Sequence, residues 1–179
     1  ADVRAMSRGQ FPDVEVSEIE FPGIAAQPGS DIAIAGLFAG VQNEITLYVN
    51  TLANAVSGQG GWQKICAPED KVTGFAFRGD DIYLVTYAGA SRYRGLHLKA
   101  AAPAVAGAAE IVPEAEAVLQ GMLAAKDAIY LQYLDGGVAR LKKLTEGGVG
   151  EVALPFDGAF GGVVADPGRE GVFVNLQSW

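Results

Sequence analysis

The sequence predicts an all-β fold, a partial β-propeller with three complete four-stranded blades and incomplete blades at both ends. A unit of four short apolar strands repeats along the chain. Matching positions in its second strand, at spacings of 50, 47 and 43 residues, are Ile32, Ile82, Ile129 and Val172. Four antiparallel strands every ~40 to 50 residues is the period of a propeller blade. Glycine contributes 24 of the 179 residues, which is typical of a chain with many turns.

The predicted strands follow the same order in every unit. First strands are rich in Gly and Ala, as crowding around a propeller axis requires. We expect them at about 23–27, 72–77, 118–124 and 159–164. The blades are expected at about 23–66, 72–112 and 117–154, and the incomplete ones at 1–22 and 159–179. A proline, which cannot donate to a sheet ladder, follows each fourth strand: Pro68, Pro113 and Pro155.

Local and repeat signals conflict in one stretch. Residues 113–126 have the composition of a helix, since good helix formers follow an initial proline and glutamate. The repeat places a strand at 118–124, with Gly121 in register with Gly74, and tertiary context overrides propensity, so we predict the strand. The Ala-rich residues 100–109 are predicted to be a surface excursion between a third and a fourth strand.

Both ends of the sequence fall inside the repeat. Residues 14–19 alternate as in a lone outer strand, and the last residues follow a second strand directly. Because propellers close with about four to eight blades, this frame indicates a piece of a larger propeller. An ordinary antiparallel sandwich with accidental internal similarity is the alternative fold.

Composition excludes several classes of function. The net charge of −8 argues against a nucleic-acid partner, which needs a basic surface. The sequence contains no run of ~18 apolar residues that would predict a membrane span, and its first residues lack the charged-then-apolar pattern of a signal peptide. The single cysteine, Cys66, and single histidine, His97, leave no disulfide framework and no cysteine or multi-histidine metal cage. We therefore expect no metal and no cofactor in a soluble protein, cytoplasmic or periplasmic.

No catalytic residue is predicted. The chain lacks the Gly-x-Ser-x-Gly motif that carries a hydrolase nucleophile. His97 lies between two leucines of a strand, and we interpret it as an ordinary strand histidine rather than a base. Cys66 has no histidine near it in the sequence to activate it, so it is predicted to be a buried structural thiol.

The remaining polar motifs are interpreted as turns. Gly-rich residues 58–62 lack the Gly-Lys-Ser/Thr of a phosphate loop and predict a hairpin loop. The acidic pairs at 69–70 and 80–81 lack the carboxylate series of a calcium loop, and they fit turns whose side chains satisfy backbone N–H groups. Residues 91–94, Ser-Arg-Tyr-Arg, fit either a contact for an acidic or peptide ligand or a solvated turn, and the turn is favoured.

Several segments resemble propeller blades of the prolyl oligopeptidase family of serine peptidases. They are Asp80–Tyr87, Ala90–Leu96, Glu110–Glu114, Ala117–Leu119, Ile129–Leu141 and the ending Phe173–Trp179. The resemblance covers most of residues 70–179, whereas residues 1–60 match only through the repeat.

This resemblance implies a seven-bladed propeller inserted ahead of an α/β-hydrolase domain that holds the catalytic Ser, Asp and His. None of the hydrolase motifs occurs in this chain, so no catalytic residue is carried over. In the family the propeller caps the active site and restricts access to peptides, which are cut typically after proline. We therefore interpret the chain as a non-catalytic propeller segment. Its implied partners are the hydrolase domain of the same parent chain and the parent's peptide substrates.

Two other functions stay open. One is a propeller scaffold for protein–protein interaction with no peptidase activity, and the other is a self-contained all-β binding module. The sequence also predicts self-association, because the end blades each lack a neighbour, and exposed apolar faces and unpaired strand edges normally find partners. The competing outcome is an open arc whose end faces are covered by residues 1–22.

Overall fold

In the computed structural model, which describes residues 3–178, the chain folds into four antiparallel sheets that follow one another in chain order. The first sheet contains β1 (Glu20–Ala26), β2 (Ile32–Ala39), β3 (Thr46–Thr51) and β4 (Gln63–Cys66), with helix α1 (Leu52–Ser57) between β3 and β4. The second contains β5 (Val72–Arg78), β6 (Asp81–Thr86), β7 (Arg94–Lys99) and β8 (Ala109–Val112). The third contains β9 (Val118–Ala124), β10 (Ile129–Asp135), β11 (Val138–Thr145) and β12 (Gly148–Val152). The fourth contains β13 (Ala159–Ala165) and β14 (Val172–Gln177).

Each sheet is a meander, because every strand pairs antiparallel with the strand that follows it in the chain. Three sheets have four strands, and the fourth has two among the described residues. The predicted all-β partial propeller is therefore confirmed. The sheets form an open array rather than a closed ring.

Successive sheets stack face to face through apolar side chains. In β6, Ile82 and Leu84 pack toward the first sheet, whereas Tyr83 and Val85 pack toward the third. Neighbouring residues of a strand point to opposite faces, so a strand that is apolar at every position is buried on both sides. A further cluster around Tyr130 joins the third and fourth sheets.

The predicted repeat alignment is wrong by one residue in the first sheet. Ile82 and Ile129 pack toward the sheet before their own, but Ile32 packs toward the sheet after its own. Ala33 takes the matching place, because it faces away from the second sheet, just as Ile82 and Ile129 face away from the sheet that follows their own. The equivalent positions are Ala33, Ile82, Ile129 and Val172.

Residues 3–18, which we call the cover segment, lie on the far face of the first sheet, the face turned away from the second sheet. Met6, Val14 and Val16 of the cover segment are buried there in one cluster with Tyr48 of β3. This apolar contact lies on one end face of the array only, whereas the competing outcome for residues 1–22 has both end faces covered.

The predicted outer strand at 14–19 is wrong. These residues form no strand, although buried and exposed side chains alternate over 14–17 as they would in one. Hydrogen bonds that join residues 3–16 to other described residues have both partners within 3–18. The cover segment is thus held on the sheet by apolar burial and not by backbone pairing.

Strand β9 is present where local composition favoured a helix, so the strand prediction is confirmed. Helix α1 was not predicted. The Thr51 hydroxyl accepts a hydrogen bond from the backbone N–H of Asn54 at its start, and Gly58 ends it with φ of 69°, a left-handed conformation that favours glycine. No helix of the described chain is long and apolar enough to cross a membrane.

Candidate functional site

A cleft of about 1060 Å³ opens between the second and third sheets, where the β5–β6, β9–β10 and β11–β12 turns lie. One part of its wall is polar and consists of Arg78, Asp81, Tyr83, His97 and Lys126. Another part is apolar and consists of Ile111, Ile129 and Leu144. The cleft combines apolar surface with a few convergent polar groups, which is the usual character of a ligand site.

The polar wall is organised around Asp81. His97 Nε2 lies 2.6 Å from Asp81 Oδ1, and Lys99 Nζ lies 2.7 Å from the same oxygen. Burial raises the pKa of Asp81, but hydrogen bonds from Lys99 and His97 outweigh burial and hold that pKa below its usual value. Asp81 is therefore an anion at neutral pH that ties β6 to β7.

The aromatic ring of Tyr83 lies beside His97, with centroids 5.2 Å apart and the planes tilted by 33°. Burial and the nearby Asp81 carboxylate raise the pKa of the Tyr83 hydroxyl, so it stays protonated. The Tyr83 ring packs in the junction between the second and third sheets, and its other contact, with the His97 ring, holds that ring beside β6.

The cleft contains two parts of a hydrolytic triad without the third. His97 and Asp81 supply a base and a carboxylate, but the described residues that line the cleft include no Ser or Cys. The hydroxyl of Thr145, which also lines it, donates to the carbonyl of Gly148. No group of three or more His, Cys, Asp or Glu side chains among the described residues could hold a metal ion. The geometry supports a structural role for the pair.

Cys66 ends β4 in the core between the first and second sheets, as the sequence predicts for a buried thiol. Its Sγ–H donates to the carbonyl of Ile45 at 3.5 Å. Burial raises the pKa of the Cys66 thiol to about 12. The thiol is consequently protonated and unreactive at neutral pH.

This burial predicts a pH dependence of stability. Between about pH 9 and 12 the unfolded Cys66 loses its proton while the folded thiol keeps it, so the unfolded state is favoured as pH rises. Relative to Cys66→Val, the parent chain should lose about 1.4 kcal/mol of unfolding free energy per pH unit across this range. Urea unfolding at pH 9.0, 10.0 and 11.0 measures the two slopes, and parallel slopes would contradict the burial of the thiol.

The cluster at 91–94 is engaged within the chain. Glu114 accepts hydrogen bonds from the Ser91 hydroxyl at 3.0 Å and the Arg92 backbone N–H at 2.6 Å. These two bonds hold the pKa of Glu114 below its usual value. Arg94 forms an ion pair with Glu110 at 2.9 Å. The solvated-turn interpretation fits these contacts better than a ligand site does.

The other polar motifs close turns or join elements. Asp70 accepts a hydrogen bond from the Ala67 backbone N–H at 2.9 Å and so closes the 3-10 helix Pro68–Asp70. Asp80 lies in the turn between β5 and β6. Residues 58–62 connect α1 to β4. Of these motifs, only the 80–81 pair contributes to the wall of the cleft, through Asp81.

Side chains at the turns between first and second strands tie each sheet to the next, and no sequence pattern predicted these contacts. The ties are Ser30 Oγ to the Gly79 carbonyl at 2.8 Å, Arg78 Nη1 to the carbonyls of Ala125 at 2.5 Å and Lys126 at 3.1 Å, and the Gly171 N–H to Asp127 Oδ1 at 2.8 Å. Polar side chains in turns usually bond locally, so only the stacking of the sheets reveals such contacts.

Replacing Arg78 by alanine should lower the free energy of unfolding by about 1–3 kcal/mol, because two carbonyl oxygens lose a charged donor. The matched control is Arg169→Ala, whose guanidinium is exposed at another turn of the same kind. Denaturant unfolding followed by circular dichroism compares the two. Equal stability of both variants would show that the Arg78 tie contributes nothing.

The first strands of the sheets form an uncharged edge. Strands β1, β5, β9 and β13 each lie at one edge of their sheet, with β5 in contact with β9 and β9 in contact with β13. Their only charged residues are Glu20 at the start of β1 and Arg78 at the end of β5. This is the arrangement expected around a propeller axis.

No protein-family model and no curated protein matches the chain. Solved structures do share its fold. A prolyl endopeptidase, one of two analysed for the role of inter-domain dynamics in catalysis and specificity, matches 83% of this chain and 22% of its own, with a TM-score of 0.68 and 22% identity. Prolyl oligopeptidase B from Galerina marginata matches 93% of this chain and 25% of its own, with a TM-score of 0.72 and 17% identity. Oligopeptidase B from Leishmania major matches 73% of this chain and 18% of its own, with a TM-score of 0.59 and 12% identity.

The stacked meanders and these comparisons define the class of fold as a partial β-propeller. More particularly, the chain has the fold of a segment of prolyl oligopeptidases and oligopeptidase B, so the resemblance seen in the sequence is confirmed at the level of fold. The chain spans a quarter or less of the length of these structures.

Proposed function

We propose that the chain is a non-catalytic propeller segment of a prolyl-oligopeptidase-like serine peptidase, in which the propeller covers the active site and restricts access to peptides. The observation that carries this proposal is the shared fold with prolyl oligopeptidase B over 93% of the chain. The four sheets then serve as blades. The partners are the α/β-hydrolase domain of the parent chain and its peptide substrates, in the cytoplasm or periplasm.

The uncharged edge formed by the first strands supports passage of peptides. A wall that carries charge only at Glu20 and Arg78 neither attracts nor repels a substrate according to its charge. Exclusion would then depend on size, since a folded protein cannot enter a space that admits an extended chain. Size exclusion needs no reactive side chain in this segment.

The test uses the protein encoded by the complete reading frame that contains these residues. It should cleave a short proline-containing peptide and leave uncut the same sequence held in a loop of a folded protein. Cleavage of both substrates at similar rates would overturn the size restriction. A protein that binds other proteins and cleaves no peptide would instead support the interaction scaffold.

The 179-residue chain alone should neither cleave a proline-containing chromogenic peptide nor be labelled by a serine-directed phosphonate. It has no Gly-x-Ser-x-Gly motif, and its one histidine is paired with Asp81 in a cleft whose described lining includes no serine. Intact mass spectrometry after labelling measures this, with a known serine peptidase as the positive control. Stoichiometric labelling of any serine would contradict the prediction.

We also propose that the isolated chain self-associates through the face of the fourth sheet turned away from the third. Val164 and Phe173 form a cross-strand pair on that face, with 64% and 75% of their surfaces exposed. Apolar pairs of this kind are buried at the other sheet junctions. Light scattering across micromolar concentrations tests this, and a monomer with no concentration dependence would reject it.

A further inference from the structure

Two of the first strands carry one extra residue at the same place. The pairing of β5 with β6 skips Thr73, and the pairing of β9 with β10 skips Gln120. Each of these bulge residues directly precedes a glycine, Gly74 in β5 and Gly121 in β9. In β13 the pairing skips Gly161, which has no side chain to place, and β1 pairs with β2 without interruption. A β-bulge redirects the side chain of its extra residue, and bulges are frequent next to functional sites.

Both bulge residues line one pocket. It has a volume of about 360 Å³, at the lower end of the ~300–1,000 Å³ that is usual for ligand pockets. Its wall is formed by the β2–β3 turn of the first sheet, by β5 and the β6–β7 turn of the second, and by β9 of the third. All three sheets have four strands, so this pocket does not arise from the two-stranded fourth sheet. We call it the inner-edge pocket, and its lining residues are Asn43, Thr73, Tyr93, Val118, Leu119 and Gln120.

The polar side chains of the inner-edge pocket are available to a ligand. Those of Asn43, Thr73, Tyr93 and Gln120 form no hydrogen bond with another described residue. The larger cleft differs, because its Asp81 carboxylate is already bonded within the chain. Side-chain amides and hydroxyls both donate and accept hydrogen bonds, as the C=O and N–H groups of a peptide require. The free polar groups of this pocket therefore match a peptide main chain.

The lining of the inner-edge pocket also selects against charge. None of its described lining residues is charged, so a charged group that entered it would lose water without gaining a counter-ion. Val118 and Leu119 supply apolar surface, against which an apolar side chain of the ligand loses contact with water. The chemistry fits an uncharged peptide segment that carries an apolar side chain.

The ring of Tyr93 is held in place by its surroundings. Tyr93 has φ of 67°, a left-handed conformation that few residues other than glycine adopt, and such residues are frequent at ligand sites. Its backbone N–H donates to the Ala90 carbonyl at 2.9 Å, and its ring packs against that of Tyr87, with centroids 5.6 Å apart and planes at 66°. The Tyr87 hydroxyl in turn donates to the Glu44 carboxylate of the β2–β3 turn. The other members of the 91–94 cluster bond elsewhere in the chain, and Tyr93 alone of them lines the pocket.

We propose that the inner-edge pocket binds a short extended stretch of peptide that is uncharged and carries an apolar side chain. The amides of Asn43 and Gln120 and the hydroxyl of Thr73 hydrogen-bond to its main chain. The Tyr93 ring and Val118 pack against its side chain. This inference rests on the proposed function, in which peptides pass the uncharged edge formed by the first strands, and it names the place on that edge where they are held.

The test titrates the isotope-labelled 179-residue chain with acetyl-Ala-Leu-Ala-amide at millimolar concentrations and follows its backbone amide signals by NMR. We expect saturable shifts at residues 73, 93 and 118–120. Replacing the central leucine of the peptide by aspartate or lysine should weaken binding at least about tenfold, because the pocket offers no counter-ion.

The variant Gln120→Ala removes one bulge side chain. It should raise the dissociation constant of the leucine peptide about three- to tenfold, because one hydrogen bond to the peptide is lost. The matched control is Gln59→Ala in the loop before β4, outside the pocket, which should bind like the parent chain. Both side chains are exposed, and unchanged circular dichroism confirms that each variant is folded.

The outcomes separate this inference from the proposed function. The absence of saturable shifts, or shifts that fall instead on the cleft lined by Arg78 and His97, overturns the inner-edge pocket as a peptide site. Equal affinities of Gln120→Ala and Gln59→Ala, or equal binding of the charged peptides, overturn the recognition described here. A serine label on the complete protein would leave the proposed function in place in each of these cases. Peptide binding at this pocket in a complete protein that takes up no label would retain the pocket and reject the peptidase.

Discussion

Replacing Leu84 by alanine is expected to lower the free energy of unfolding by about 2–5 kcal/mol. Leu84 is fully buried in the second sheet and packs in one cluster with Ile34 and Leu47 of the first sheet. Its truncation leaves a cavity in a junction that is closed on both sides by strands. Urea unfolding followed by circular dichroism gives the loss directly.

Val149→Ala in β12 is the matched control for this truncation. Val149 is an exposed strand residue, so its truncation should change the free energy of unfolding by no more than about 0.5 kcal/mol. If Leu84→Ala were as mild as this control, the first and second sheets would not be stacked as described.

Replacing Gly95 by alanine should destabilise the chain by about 1–3 kcal/mol through overpacking. A Cβ at Gly95 would lie 2.7 Å from Met122 Sδ of the third sheet and 2.9 Å from Val112 Cβ. The Met122 thioether of the third sheet and the Val112 side chain of the adjacent strand must therefore shift to accommodate one methyl group. Gly150→Ala in β12 is the control, since a Cβ there meets no atom within 4 Å. Thermal unfolding compares the two, and equal melting temperatures would contradict the close approach of the second and third sheets.

The repeat predicted the architecture, but it did not determine which residue of β2 in the first sheet corresponds to Ile82 and Ile129. Residues 32–35 of β2 read Ile-Ala-Ile-Ala, and all four side chains are buried. When both faces of a strand are apolar, the repeat alignment can be shifted by one residue and still place an apolar side chain at every expected position. Only the sheet that each side chain contacts shows which residues correspond, and these contacts join residues that are far apart in the sequence.

The cover segment illustrates the same limit. Val14 and Val16 alternate with exposed Glu15 as a strand would, yet no neighbouring strand pairs with them. Alternation predicts burial on one side, whereas strand formation also requires a partner edge. Conversely, β9 formed against its helical composition, because Met122 and its neighbours are buried between two sheets.

The contacts of the candidate site were harder to predict from the sequence than the fold was. His97 could be identified as a strand residue from its flanking leucines, but its partner Asp81 lies on the adjacent strand and was interpreted only as part of a turn. The contact of Arg78 with the third sheet spans 47 residues, and no spacing rule predicts it. Pairings across strands and sheets depend on register, which the stacked structure supplies.

The central claim, that this chain is a non-catalytic part of a serine peptidase, is tested most directly by locating the reactive serine. The protein encoded by the complete reading frame is treated with a serine-directed phosphonate, digested, and the labelled peptide identified by mass spectrometry. We predict one stoichiometric label, on the serine of a Gly-x-Ser-x-Gly motif outside these 179 residues. A label on a serine within them, or a complete protein that takes up no label, would contradict the account.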